Sequence, residues 1–201
     1  MAYFFDVSAI FMSLFYHFKP LKDRYLRLIA IRLTSSGVTA NKITAFGLCL
    51  ALCAGFVAYS GYLYAALVLF SASALCDALD GSLARLSSEQ TEFGLYFDGM
   101  ADRFSELFFV GGAVLGAHAP PSGLAVVAGA FLLLFARMYG HTQYCGTVAT
   151  PFGRPERLTL LVAGLLSPHP LNIILFVAAA LGCVVSAAQV VARTRTMKPA
   201  I

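Results

Sequence analysis

Charge is scarce in this chain. Asp, Glu, Lys and Arg make up 12% of its 201 residues, about half the share found in ordinary soluble domains. What charge there is leaves long gaps: none between Thr44 and Cys76, and none from Leu107 to Ala136. Each gap is long enough for a membrane helix, which needs about 20 largely apolar residues. A soluble fold is thereby excluded, and the +4 formal charge does not indicate a nucleic-acid partner. Cys49, Cys53, Cys76, Cys145 and Cys183 form no C-x-x-C pair and read as small buried packing residues. His17, His118, His141 and His169 are scattered, which leaves a zinc site without support. No internal repeat, low-complexity tract or second domain is evident. The start Met1–Phe18 has no basic n-region and carries only Asp6, so no cleavable signal is expected.

What is present is a pattern of apolar runs. The expected fold is an all-α integral-membrane domain spanning 1–201. A juxtamembrane amphipathic helix in region 1–35 precedes a six-helix bundle over 41–195. Val7, Ile10, Phe11, Leu14, Phe15 and Phe18 place one apolar stripe on a helix, and Lys19, Lys22, Arg24 and Arg27 follow it. That combination suits a helix lying in the membrane interface near anionic head groups; the alternative is a short soluble lid. Six spans are predicted at 42–60, 64–86, 92–117, 122–144, 157–168 and 171–192; the fifth is short, and is either tilted, begun before Arg157, or set beside a thinned or water-filled region. The turns at 59–64, 118–122 and 167–172 carry no Lys or Arg, and all 14 basic residues fall on the other side. The positive-inside rule then places both termini and the 85–94 and 137–157 turns in the cytoplasm. Gly111, Gly112 and Gly116 include a small-xxx-small pair, which implies close helix packing within a subunit or across a dimer.

Against this apolar background one acidic cluster stands out. Asp77, Asp80, Asp98 and Asp102 fall within 26 residues. Each ionised carboxylate costs about 2.5–3.5 kcal/mol in a membrane helix even on the lenient insertion scale. At 100° per residue, Asp77, Asp80, Gly81 and Ala84 share one face of the second span. Gly94, Asp98 and Asp102 form an i, i+4, i+8 ladder on the third. The two spans are antiparallel across the 86–93 turn, so the four carboxylates should meet just inside the cytoplasmic boundary. Arg85 and Arg103 offset part of the charge; the remainder suits hard cations with oxygen ligands. Two such ions can clamp the attacking and leaving oxygens of a phosphoryl transfer. Gly81, Ala84 and Gly94 leave room for a ligand to approach the backbone, and Arg85 can grip a phosphate with its planar fork.

The string Asp77-x2-Asp80-Gly81-x2-Ala84-Arg85-x8-Gly94-x3-Asp98-x3-Asp102 resembles, at every fixed position, the signature of the CDP-alcohol phosphotransferase family. The resemblance implies a homodimer in the cytoplasmic membrane, with a cytoplasm-facing site and two Mg²⁺ or Mn²⁺ ions. It implies CDP-diacylglycerol or a related CDP-lipid as donor and a small hydroxyl compound as acceptor. It makes Asp77, Asp80 and Asp98 metal ligands and Asp102 the general base and a further ligand. Asp77, Gly81, Ala84, Arg85 and Gly94 would cradle the cytidine nucleotide. Thr39-Ala40-Asn41-Lys42-Ile43-Thr44 is similar to the family's T-P-N-x-x-T entry to the first span, with Ala40 in place of proline. Asn41 and Thr44 are then either nucleotide contacts or, for Asn41, a helix cap.

The acceptor is less legible. Arg137, Arg154, Arg157, Arg193 and Arg195 cluster near the cytoplasmic ends of the last three spans. Gly153-Arg154-Pro155-Glu156-Arg157-Leu158 resembles a segment of bacterial and archaeal inositol-phosphate-using members. Arg137, Arg154, Arg157 and Arg193 would then bind an acceptor phosphate, or else serve as positive-inside anchors. Those members read Lys-Ala-Arg where this chain reads Phe135-Ala136-Arg137, which keeps glycerol 3-phosphate beside inositol phosphate as a candidate. Two rival classes are a membrane prenyltransferase, which spaces its aspartates differently, and a cation- or proton-coupled transporter, since intramembrane carboxylates often mark ion paths.

Overall fold

The computed structural model describes residues 32, 39–86, 92–144, 150 and 152–196. The amphipathic helix expected within 1–35 lies outside them, Arg32 apart, as does Cys145. Among the described residues six full helices follow one another: α1 (Ala40–Tyr59), α2 (Leu63–Leu86), α3 (Glu92–Leu115), α4 (Ser122–Tyr144), α5 (Arg154–Leu166) and α6 (Leu171–Thr196).

Each helix starts and stops for a local reason. Thr39, with extended φ and ψ, stands as N-cap of α1, so the cap position falls to Thr39 and not to Asn41, which lies exposed inside the first turn. Gly61, at φ 98°, makes the tight turn into α2 in the left-handed region that glycine enters without a side-chain penalty. The Gly153 N–H donates to Glu156 Oε2 at 2.8 Å, which satisfies one of the amide donors at the start of α5.

Four helices, α1, α2, α4 and α6, are long and apolar enough to cross a membrane. Of the six expected spans, these four meet that description among the described residues. The bundle has six helices, but α3 carries Asp98, Asp102, Arg103 and Glu106 along its first four turns. Helix α5 has 13 residues, about 20 Å at 1.5 Å per residue, against a hydrocarbon layer of about 30 Å. The fifth helix begins at Arg154, the earlier start that its shortness allowed for.

The apolar core occupies the half of the bundle away from the aspartates. Ala54, Ala58, Ala66, Phe70, Phe109, Val110, Ala113, Val126, Leu161 and Phe176 form one buried cluster. Phe70 and Phe109 stack with ring centroids 4.4 Å apart. Within this half, α1 and α3 cross in backbone contact. A Cβ at Gly112 would overlap the Gly55 carbonyl, and one at Gly55 would overlap that of Phe108. A Cβ at Gly116 would lie 2.9 Å from the carbonyls of Ala58 and Tyr59. The small-xxx-small pair Gly112 and Gly116 thus packs within the subunit, while Gly111 has nothing within 4 Å of its would-be Cβ. Gly112→Leu should therefore force α1 from α3 and destabilise the fold by about 1–3 kcal/mol or more, seen as a lower unfolding midpoint in detergent. Gly111→Leu should leave that midpoint unchanged.

Of the described cysteines, Cys183 is buried and Cys76 half-buried, but Cys49 and Cys53 are exposed on α1. The reading of all five as buried packers is corrected for those two, which lie on an apolar outer surface beside Phe46, Leu52 and Phe56.

Candidate active site

Two helices supply the acidic groups, as their periodicity requires. Asp77 and Asp80 lie near the end of α2, and Asp98 and Asp102 near the start of α3. Asp77, Asp98 and Asp102 each bring one carboxylate oxygen within 4.8 Å of the others. Asp80 joins Asp77 and Asp102 in lining a polar recess closed by Thr44, Gly47 and Leu48 from α1, Ser73 from α2, Ala101 and Ser105 from α3, and Arg154 from α5. The four predicted aspartates are thus brought together.

Helix α1 is fixed against this cluster by two side chains. Thr44 Oγ1 lies 2.5 Å from Asp80 Oδ2 and 3.1 Å from the Ala40 carbonyl. A hydroxyl has one proton to donate, and the shorter, charge-assisted bond to the carboxylate takes it. Ser73 Oγ donates to the Gly47 carbonyl at 2.7 Å, at a point where a Cβ on Gly47 would sit 3.1 Å from the Cys76 Cβ. Thr44 therefore orients a carboxylate, Asp80, which is only 2% exposed.

The charge balance leaves an anionic excess. Arg154 forks across the site, pairing with Asp77 through Nη1 and with Asp102 Oδ1 through Nη2 at 2.7 Å. Arg103 reaches Asp102 at 3.8 Å and Glu106 at 3.4 Å. Arg157 engages Glu106. Among the described side chains, five carboxylates thus face three guanidinium groups. Asp98 Oδ1 is buried without a hydrogen-bond partner among the described residues. An unpartnered carboxylate oxygen in a dry site is costly, and a divalent cation satisfies both that oxygen and the excess charge. The donor set is all oxygen, which fits Mg²⁺ or Mn²⁺.

The nucleotide-cradle residues are placed in part. A Cβ on Gly81 would meet nothing within 4 Å, so the α2 backbone is open to a ligand there. Gly94 is half-buried in the first turn of α3. Ala84 and Arg85 belong to α2, but their side chains lie outside the described ones.

The arginines expected to bind an acceptor phosphate do not form one cluster of equivalents. Arg154 reaches the aspartates. Arg137 donates from Nη2 to Thr150 Oγ1 at 3.0 Å and is half-buried on α4. Arg193 lies exposed in the last turn of α6, near Arg195. Arg157 is 0% exposed, its fork taken by Glu106. With Nε and Nη2 held by Glu106 and Nη1 buried beside them, it differs in setting from the other three arginines. Glu106 is the residue that sequence reasoning missed. The signal was available, since Glu106 continues the Asp98 and Asp102 ladder by four residues and is a charge in a membrane helix. Phe135, where inositol-phosphate members carry lysine, is exposed and stacks on Phe131 at 6.3 Å.

Comparison with known proteins agrees with this geometry. Residues 37–194 match the profile of the CDP-alcohol phosphatidyltransferase family. An archaetidylinositol phosphate synthase of Pyrococcus horikoshii is 28% identical over 145 residues, covering 71% of this chain and 77% of the relative. The phosphatidylinositol phosphate synthase PgsA1 of Mycobacterium tuberculosis, solved with CDP-DAG bound, superposes with a TM-score of 0.69 at 21% identity, covering 89% of this chain and all of that one. The same enzyme in complex with manganese and citrate gives a TM-score of 0.68 at 20% identity, covering 85% of this chain and 89% of that one.

Proposed function

This chain belongs to the CDP-alcohol phosphatidyltransferase family, and on that premise we propose that it transfers the phosphatidyl-type group of a CDP-activated lipid to the hydroxyl of a phosphorylated polyol, with release of CMP. Phospholipid biosynthesis is the setting. The observation that carries the reading is the convergence of Asp77, Asp98 and Asp102 within 4.8 Å, with Asp80 in the same recess, on two antiparallel helices.

Asp77, Asp80, Asp98 and Asp102 would hold Mg²⁺ or Mn²⁺, which supplies charge stabilisation to the diphosphate and to the departing phosphate. The open backbone at Gly81, with Ala84, Arg85 and Gly94, receives the cytidine nucleotide, and Asn41 and Thr44 border it from α1. Asp102 takes the proton of the acceptor hydroxyl, a role that requires hydrogen-bond reach directly or through one water. The acceptor oxygen then forms a bond to the lipid-side phosphorus as the bond from that phosphorus to the CMP phosphate breaks. Arg154 is the acceptor-phosphate ligand closest to this chemistry, and Arg137 and Arg193 form the outer part of that site. Inositol phosphate is the preferred acceptor, supported by the names of the curated relatives.

The same reading includes six crossings, with α3 tolerated by mutual neutralisation of its charges and α5 beside a thinned or water-filled region. It places the site and both termini on the cytoplasmic face and makes the chain a homodimer. The transporter alternative is not supported. Transporters place ion sites on broken helices in repeated halves, whereas α2 and α3 run unbroken through the aspartates.

Purified full-length protein, radiolabelled CDP-diacylglycerol and Mn²⁺ with a panel of acceptors provide the test. The expected result is CMP release with inositol phosphate, and little with free inositol or serine. Release with glycerol 3-phosphate alone would reassign the acceptor. No CMP release with any acceptor, or solute uptake into vesicles without it, would sink the proposal.

A further inference from the structure

Beside the aspartates lies a second charged layer that the reaction does not use. Glu106, one turn beyond Asp102 on α3, is 1% exposed, and Arg157, one turn beyond Arg154 on α5, is 0% exposed. Arg157 Nε donates to Glu106 Oε2 at 3.0 Å and Nη2 to Oε1 at 2.6 Å, a two-pronged charge-assisted fork. Two rungs therefore join α5 to α3, Arg154 to Asp102 and Arg157 to Glu106.

The backbones of these two helices stand apart, their apolar side chains meeting only deeper in the bundle, in the shared core. Among the described residues no Cα of α5 comes within 8 Å of a Cα of α3, and the backbone of α5 packs chiefly on α6. The gap between the catalytic helix and α5 is thus crossed by long side chains. The rungs differ in access. The Arg154 and Asp102 side chains remain 26% and 12% exposed, at the recess where substrates arrive. The Arg157–Glu106 rung is sealed.

We propose that Glu106 and Arg157 are positioning residues, whose buried ion pair holds α5 at the distance and register from α3 that keep Arg154 aimed at the carboxylate recess. Resting on the function proposed above, this assigns Arg157 to indirect recognition of the acceptor phosphate: it sets where Arg154 stands and touches no substrate. Stability alone is a poor reason for the pair, because well-packed apolar replacements of buried ion pairs are often neutral or stabilising. A bidentate fork does what an apolar contact does not, since it fixes both distance and direction. It also persists when Arg154 leaves its carboxylates for an acceptor phosphate, so α5 need not drift when the outer rung opens.

The test uses the full chain in nanodiscs and three variants: Glu106→Gln, Arg157→Gln, and the apolar pair Glu106→Leu with Arg157→Met. Amide hydrogen exchange over 157–161 should rise about 10-fold or more in each while α1 and α2 keep their protection. The KM for inositol phosphate should rise about 10-fold or more, with kcat and the KM for CDP-diacylglycerol within about 2-fold. Arg157→Gln should have no larger effect than Glu106→Gln, because both remove the Arg157–Glu106 pair and the latter also removes the Arg103 contact to Glu106.

Arg157→Gln raising the acceptor KM well beyond Glu106→Gln would mean direct contact and overturn the assignment. Loss of protection throughout the bundle, with both KM values rising together, would reduce the pair to general scaffolding and also overturn it. If the wild-type chain turns over no CDP-lipid, the proposed function fails, and the exchange arm alone decides. A rise confined to 157–161 then sustains the positioning role, and unchanged exchange ends it.

Discussion

Asp102→Asn should slow transfer by about 10²–10⁴-fold, the range that a positioned general base contributes. The substitution keeps the shape of the side chain and removes its ability to take a proton. Asp102 is well placed for that test, because its two oxygens are distinguishable: Oδ1 lies 2.7 Å from Arg154 Nη2, and Oδ2 lies 3.8 Å from Arg103 Nη1. A neutral amide weakens both pairings but leaves the nucleotide face of α2, with the open backbone at Gly81, untouched. Binding of CDP-diacylglycerol should therefore fall far less than single-turnover CMP release. Normal turnover in Asp102→Asn would remove Asp102 from the role of base. A loss of nucleotide binding equal to the loss of rate would recast it as a ligand only.

Removal of divalent metal should abolish transfer, and Mn²⁺ or Mg²⁺ should restore it. The physical reason lies in the anionic excess around the recess and in the buried Asp98 Oδ1, which has no hydrogen-bond partner among the described residues. Asp98→Asn takes away one negative charge and replaces an anionic ligand by a weak neutral one. Its affinity for Mn²⁺, read directly by the electron paramagnetic resonance signal of the free ion, should fall at least about 10–100-fold, the loss that even outer-shell partners cause. The Asp98 effect is separable from that of Asp102, because saturating Mn²⁺ should recover part of the Asp98→Asn rate and none of the proton-transfer defect. Undiminished transfer after exhaustive chelation, or an unchanged Mn²⁺ affinity in Asp98→Asn, would exclude the carboxylates as a metal site.

The bundle and its acidic centre were legible because both depend on short-range periodicity. Charge-free runs mark helices long enough to cross a bilayer, and four of the six segments meet that description in the structure. Runs alone do not weigh charges within a helix or shortness at its ends, so α3 and α5 were counted with the rest. The i, i+3 and i, i+4 spacing put each pair of aspartates on one face, and a short antiparallel turn brought the faces together. Thr44 is a middle case: its place near the first span's entry was readable, but its bond to Asp80 was not. The glycine pair on α3 was likewise recognisable as a close-packing face, while its partner Gly55 emerged only when α1 lay across it.

The arginines show where such reading stops. By sequence, Arg154 and Arg157 are equivalent members of one basic cluster, three residues apart at the entry to the fifth span. In the structure Arg154 reaches into the recess and Arg157 is sealed against Glu106. Sequence alone determined which residue types gather on each helix face, because 100° per residue is a property of the local backbone. Tertiary structure decided which cation meets which carboxylate. That choice depends on how far apart two helices stand and how they are rotated, and a long flexible side chain crossing such a gap leaves no periodic trace in the chain.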